Sequence, residues 1–451
     1  MDTEQAGSAS YPVKTIEYAL KKLNDGDILY FKGNYKAEKN LQSNSNKTIY
    51  ITGDTVDFSS LGSLEIRNNT VFTGNLTIKL PENLIANGHS LRIDESVTVV
   101  PHSEKGTTVF GGSSVNSVDS TNLTLLSGTF YEIFGGGVNG GEVKGNTNVT
   151  ISGNVNANAI YGGGKRSTVK GNTFLYLGGS INKSLNISNH DEAGKAMAYG
   201  GAYEGTVSGT ANIEIDQNAK VGIIYGAGNG QSSVVDKSVV VFNSGNVMGV
   251  YGGSKEGKCN STSVTMNGGY VEQIFGGNNG AAIIGNTDVR VLGGTVKRRV
   301  YGGCYNDFGF SGWKSSYFVT GNTNVVFSCD ADFPRNHTSG DNALCAISRC
   351  KENNAAENAT LILSDYKDAY KTKIGSSDFT FTYGAYDQVF YVNSGIEAYS
   401  NGGVIYLKAL KAGTISIKSG DSTENVAVSA SETITRNLSN FNSKEITVTL
   451  S

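Results

Sequence analysis

Cysteine is sparse in this 451-residue chain: the five, Cys259, Cys304, Cys329, Cys345 and Cys350, are too few and too clustered for a disulfide framework. They read as buried small hydrophobes, or as a Cys345–Cys350 or Cys329–Cys345 bridge. No CxxC pair occurs and the four histidines, His89, His102, His190 and His337, are scattered, which argues against zinc, and no other metal or cofactor is expected. Neither sign of charge dominates: 37 basic against 40 acidic side chains leave a formal charge of −3, so there is no electrostatic footprint for nucleic acid or an anionic membrane. No apolar run approaches the roughly 20 residues of a membrane-spanning helix. The start, Met-Asp-Thr-Glu-Gln-Ala-Gly-Ser-Ala-Ser, lacks a basic-then-apolar signal; if the protein is exported, the signal or anchor lies outside this sequence, and residues 1–10 read as a flexible tether. Runs of Ala, Leu, Glu and Lys, which helices need, are also missing.

Glycine is abundant instead, at 59 residues, and Asn, Ser, Thr and Tyr fill much of the polar remainder, a composition suited to short strands and tight turns. An aromatic residue followed by glycine recurs at Phe110, Phe134, Tyr161, Tyr199, Tyr225, Tyr251, Phe275 and Tyr301, at intervals of 24, 27, 38, 26, 26, 24 and 26 residues. In step with it run apolar triplets: Val149-Thr150-Ile151, Leu175-Tyr176-Leu177, Ile213-Glu214-Ile215, Val239-Val240-Val241, Val264-Thr265-Met266, Val289-Arg290-Val291 and Val325-Val326-Phe327, with Gly-Asn-Thr ahead of several. Apolar residues at i and i+2 describe a strand with one buried face. A unit of about 25 residues cannot close a core alone, whereas stacked copies bury a continuous column and pair each backbone with the next, roughly 4.8 Å away. The expected fold is therefore all-β: a right-handed parallel β-helix, a solenoid of about 25 residues per coil.

Near the N-terminus, Thr15-Ile16-Glu17-Tyr18-Ala19-Leu20-Lys21-Lys22-Leu23 places Ile16, Leu20 and Leu23 on one helical face, with Thr15 as cap. Asn24-Asp25-Gly26-Asp27-Ile28-Leu29-Tyr30-Phe31-Lys32-Gly33-Asn34-Tyr35 follows. These roughly 25 residues resemble the opening of the pectin-lyase-like superfamily, whose amphipathic helix plugs the first coil ahead of a Gly-Asp turn and an apolar strand. The resemblance implies a capping helix and residues 11–354 as one β-helix. Beyond about 355 the period weakens, and 355–451 reads as degenerate last coils with a β-rich C-terminal cap, or as a small β-sandwich.

The same resemblance implies that catalysis, if present, would use carboxylates, or a carboxylate with Lys or Arg, facing one groove from neighbouring coils. The outward positions of the main column read Tyr50, Thr77, Thr98, Thr124, Thr150, Tyr176, Glu214, Val240, Thr265, Arg290, Val326 and Ile362; only two ionise, three coils or about 14 Å apart. No family catalytic residue can be carried over. Glu272 beside Lys297, Arg298 and Arg299 reads as a surface ion pair, with catalytic use of Arg and Glu as the alternative. The aromatic-Gly ladder is either a stacked core or an outward stripe for polysaccharide; core is the preferred reading.

Three insertions interrupt the period, at 179–196, 304–319 and 328–350. The second holds Tyr305, Asp307, Phe308, Phe310, Trp313, Tyr317 and Phe318, and exposed rings beside polar groups suit sugar stacking; these rings could equally fold back onto the flank. The chain also resembles, in its Gly-Gly-Gly and Gly-Asn-Thr repeats, bacterial repeat surface proteins. The expectation is thus a non-catalytic, extracellular or cell-surface, adhesin-like bacterial protein that binds a polysaccharide or host-surface glycan through Tyr305, Asp307, Phe308, Phe310, Trp313 and Tyr317. A polysaccharide lyase or glycoside hydrolase is the alternative.

Overall fold

The computed structural model describes residues 7–8, 10–41, 47–103, 106–182, 196–217, 219–279, 285–305, 319–332, 343–345, 357–367 and 386–451. These residues are almost entirely β, with one α-helix, Ile16–Lys22, among them. The helix starts where Thr15 Oγ1 accepts the Tyr18 N–H, and it buries Ile16, Ala19 and Leu20. Leu23 lies one residue past its end and is only half-buried, so Ala19 takes the place expected for it. The chain divides into two compact units, Met1–Ile224 with Gly228–Val235, and Tyr225–Ala227 with Asp236–Ser451.

In the first unit successive repeats pair in parallel. Leu91 sits against Leu123, Leu123 against Val149, Val149 against Leu175 and Leu175 against Ile213, all of them buried. A second ladder joins Thr55–Asp57 to Thr77–Lys79 and then Thr98–Val100, and Asn154–Asn156 to Ser180–Asn182. A third carries the aromatic-Gly motif, pairing Phe110, Phe134, Tyr161 and Tyr199 in turn. Their rings are buried and stacked at centroid spacings of 5.2, 4.7 and 4.6 Å. The second unit repeats the scheme: Val264, Val289, Val325 and Leu361 pair in parallel, and Tyr225, Tyr251, Phe275 and Tyr301 stack at 5.0, 5.0 and 5.3 Å. The ladder of rings is core, not an outward stripe.

The motif residues have separate structural tasks. The glycine after each ring is there for closeness: a Cβ on Gly135, Gly226, Gly252 or Gly276 would overlap the carbonyl oxygen of the next repeat's glycine. Behind it, the Thr of three Gly-Asn-Thr segments points inward and satisfies a glycine carbonyl, Thr147 to Gly162 at 2.6 Å, Thr173 to Gly200 at 2.5 Å and Thr287 to Gly302 at 2.5 Å, as Thr121 of Asp-Ser-Thr does to Gly135 at 2.7 Å. The Asn forms a ladder at the turn, with Asn146 Oδ1 accepting the Asn172 N–H at 2.9 Å and Asn286 Oδ1 the Asn322 N–H at 2.7 Å.

Two alignments drawn from the sequence are corrected by the registers. Thr77 and Thr98 belong to the second ladder, and the residues between Tyr50 and Thr124 on the first are Val71 and Arg92. Thr77 and Thr98 therefore do not continue the column of Thr124 and Thr150, although both ladders have the same alternation. In Val239-Val240-Val241 the inward residue is Val240, because Ser238, whose hydroxyl donates to the Gly252 carbonyl as Thr262's does to Gly276, sets the parity; the outward residue is Val241.

From residue 386 onward the ladder gives way to antiparallel strands. Gln388–Val392 still pairs in parallel with Ala359–Ser364, but Ile396–Asn401, Val404–Ala409 and Thr433–Asn437 form an antiparallel sheet. Gly413–Ser419 pairs antiparallel with Ser422–Val428 and with Glu445–Leu450. Ile396, Ala398, Ile405 and Leu407 pack over Val326, Ile362 and Phe390. Val326 and Ile362, expected to face solvent, are therefore 3% and 0% exposed: a second β-layer covers the outward side of their strands.

Candidate functional site

The strand Thr173–Leu177 alternates Thr173, Leu175 and Leu177 inward with Phe174 and Tyr176 outward. Thr173 fixes the parity by donating to the Gly200 carbonyl at 2.5 Å. The result is a phenylalanine left 40% exposed beside a half-buried tyrosine in the middle of a regular ladder, with no apolar layer over them among the described residues. Polar residues flank both in register: Asn148 and Asn212 on either side of Phe174, and Thr150 and Glu214 on either side of Tyr176. Each amide donates to the backbone, Asn148 to Thr121 at 3.4 Å and Asn212 to Thr173 at 3.0 Å, leaving its carbonyl oxygen as a surface acceptor. The Tyr176 hydroxyl is held above the ordinary tyrosine range by burial first, and by the charges of Asp216 and Glu214 next. It stays a neutral donor at physiological pH.

A flat apolar ring face with acceptors a strand spacing away, roughly 4.8 Å, and a hydroxyl-bearing residue roughly 7 Å along the same strand, matches the two sides of a sugar ring. Acid-base chemistry has less to work with. Glu214 lies near the end of the strand Thr206–Ile215 and Asp216 one residue past it, two positions on and so roughly 7 Å away along the backbone. Asp216 Oδ1, however, accepts the Gln217 N–H at 2.8 Å and so helps to fix its own turn.

Other expected site residues are occupied structurally. Arg290 pairs with Asp288 at 2.8 Å and lies 5.1 Å from the Tyr399 ring centroid, pinning the C-terminal sheet. Glu272 meets Lys297 at 3.5 Å, the surface ion pair expected. Tyr305 packs edge-on against Phe275 at 4.9 Å and Tyr251 at 5.9 Å, so this ring folds back over the aromatic ladder. It takes the fifth place of the motif, where Tyr203 lies edge-on to Tyr161 at 6.0 Å in the first unit. Asp307, Phe308, Phe310, Trp313 and Tyr317 lie outside the described residues, as do Phe318, Cys350 and the side chain of Cys345.

Sequence reasoning missed Phe174, because an apolar residue inside a strand reads as buried. The signal was the alignment of Thr173 with Thr121 and Thr147, which puts Phe174 and Tyr176 on the outward parity. Among the described residues no group of three His, Cys, Asp or Glu side chains is placed to hold a metal ion, and no helix is long and apolar enough to cross a membrane. No protein-family model, no curated protein and no solved structure matches the chain.

Proposed function

We propose that this chain is a non-catalytic, secreted or surface-displayed bacterial protein of the adhesin-like kind that binds a polysaccharide or host glycan. We further infer that its paired repeats form a right-handed parallel β-helix of the pectin-lyase-like kind. The parallel registers Leu123, Val149, Leu175, Ile213 support the architecture. One observation carries the binding reading: an exposed Phe174 and a half-buried Tyr176 on a regular outer face between Asn148, Asn212, Thr150 and Glu214. The aromatic insertion with Asp307, Phe308, Phe310, Trp313 and Tyr317 would supply further contacts.

The test is retention on a glycan array. Phe174→Ala and Tyr176→Ala should each weaken binding about threefold to tenfold, the worth of one ring contact; unchanged retention of both removes this face from the assignment. Trp313→Ala tests the insertion separately. Glu214 with Asp216 favours one second reading, a glycoside hydrolase, since backbone positions roughly 7 Å apart allow two carboxyl groups the separation such chemistry uses. New reducing ends on a polysaccharide panel, abolished by Glu214→Gln, would establish it and end the non-catalytic reading.

A further inference from the structure

We propose that the outer face at Phe174 and Tyr176 selects a glycan carrying free amino groups, of the glucosamine kind, over neutral and acidic sugars. The proposal rests on that face being a glycan site: the rings locate a sugar, and the groups beside them decide which sugar it is.

Three neighbouring strands, Thr147–Asn156, Thr173–Leu177 and Thr206–Ile215, frame the position. Their registers put Asn148, Phe174 and Asn212 in one outward row and Thr150, Tyr176 and Glu214 in the next. Beyond it come Ser152, Gly178 and Asp216, with the Asp216 N–H donating to the Leu177 carbonyl at 3.0 Å. Gly178 shapes this end of the face. A Cβ there would stand 3.2 Å from Tyr176 Cε1, 3.2 Å from Ser152 Oγ and 3.1 Å from Gln217 Oε1, closer than side chains ordinarily pack. Its absence lets the Tyr176 ring lean along its own strand toward the row of Asp216, beside the oxygens of Ser152 and Gln217.

Charge on this frame has one sign. Thr150 and Ser152 flank Tyr176 on one strand and Glu214 and Asp216 on the other, and the charges that act on the Tyr176 hydroxyl are those of Asp216 and Glu214. Basic side chains of the described residues around this stretch are engaged or belong elsewhere: Lys170 meets Glu142 at 3.0 Å, Arg92 lies three strands back and meets Asp94 at 2.5 Å, and Lys220 stands in the next ladder beside Ser180. The uncharged neighbours add acceptors. Asn148 and Asn212 donate their amides to backbone carbonyls, which leaves their oxygens outward, and Gln217 Oε1 lies 3.5 Å from Ser152 Oγ. A sugar ammonium brings three donors, no acceptor and the opposite charge, whereas a uronate brings acceptors and a like charge. On a sugar resting against Tyr176, an amino group one bond out from the ring comes within a strand spacing, roughly 4.8 Å, of the Glu214 position.

Affinity of the full chain for glucosamine oligomers, for the same oligomers N-acetylated and for galacturonate oligomers of equal length tests the proposal. Glucosamine should bind about tenfold more tightly than its N-acetylated form, and galacturonate should not be retained. Glu214 is exposed and Asp216 half-buried, so Glu214→Gln and Asp216→Asn should fold like the parent. Each should weaken glucosamine binding about threefold to tenfold and leave the N-acetylated form unchanged, while Phe174→Ala weakens both forms together. Asp421→Asn, at an exposed acid between Gly413–Ser419 and Ser422–Val428, should bind like the parent. An equal loss in Asp421→Asn would trace the preference to net charge and overturn the proposal. N-acetylated or galacturonate oligomers held as tightly as glucosamine would overturn it too, and would leave glycan binding by this face standing. Loss of every glycan from the array would instead remove the reading on which the proposal rests.

Discussion

Two glycines three residues apart, Gly249 and Gly252, give a sharp test of why the motif repeats glycine. Neither sits in the left-handed region, so backbone freedom does not distinguish them. Space does. A Cβ on Gly252 would overlap the Gly276 carbonyl oxygen, about an ångström inside the closest ordinary C–O approach, and would stand 3.1 Å from Thr262 Cβ. Relief requires the repeats to part, which strains the Gly252 N–H bond to Phe275 O at 2.8 Å and the hydroxyl bonds of Ser238 and Thr262 to the glycine carbonyls. Overpacking of this kind costs about 1–3 kcal/mol and a weakened buried hydrogen bond about 1 more, so Gly252→Ala should destabilise by roughly 2–4 kcal/mol. A Cβ on Gly249 meets nothing nearer than Gln273 at 3.5 Å, ordinary contact. Gly249→Ala should then be neutral or stabilising by up to about 1 kcal/mol, through the unfolded chain. Urea denaturation with amide exchange over 246–276 reads both, the exchange being needed because stacked repeats need not unfold as one. Equal stabilities of the two variants, within about 0.5 kcal/mol, would refute the close-approach argument.

Two further outcomes follow from buried groups. Burial drives the Cys259 thiol up to about 12 from its ordinary 9, against smaller opposing effects from Ser238 and Ser261. The unfolded thiol ionises first, so this contribution to stability is complete below about pH 9 and is lost as pH rises toward 12; the parent should lose more stability than Cys259→Ala between pH 9 and 11 in denaturant titrations, and an identical fall in both would contradict it. Val326→Asp would put a carboxylate beneath the C-terminal antiparallel sheet, at a cost of several kcal/mol. Proteolysis within 396–437 should accelerate, and unaltered cleavage would show that this sheet is held by something other than that apolar contact.

What the sequence made legible was the inward half of the chain. Val149, Leu175 and Ile213 alternate because one face is buried, and burial is what period two reports. The rings at Phe134 and Tyr161 recur because each stacks on the next. Register between ladders was less legible, since Thr77 and Thr124 have the same local alternation and only pairing separates them. The two-sided burial of Val326 and Ile362 had left a trace: Val325-Val326-Phe327 and Leu361-Ile362-Leu363 are apolar throughout, the mark of a strand covered on both faces. The second layer that explains it comes from residues 396–409, more than thirty positions later in the chain than Ile362, beyond the reach of a local pattern.

Function in such a chain has to be read from the outward positions, because the inward ones are fully committed. Gly135 is held by closeness, Thr147 by a carbonyl, Asn146 by the next turn and Tyr161 by its neighbouring rings; none can change its chemistry without disturbing the repeat above or below. The outward residue between two inward ones bears no such constraint, which is why one ladder can pass from Thr124 through Thr150 and Tyr176 to Glu214. Where that freedom produces polar strand residues, solvent is a sufficient explanation. Where it produces exposed rings and branched apolar side chains, solvent is not, since each costs free energy in water. At Val326, Ile362 and Phe390 the compensation is visible, in a layer of the same chain. At Phe174 with Tyr176 no such layer is present among the described residues, and the company these rings keep, the amides of Asn148 and Asn212 and the Thr150 hydroxyl, is what a sugar face requires of a partner.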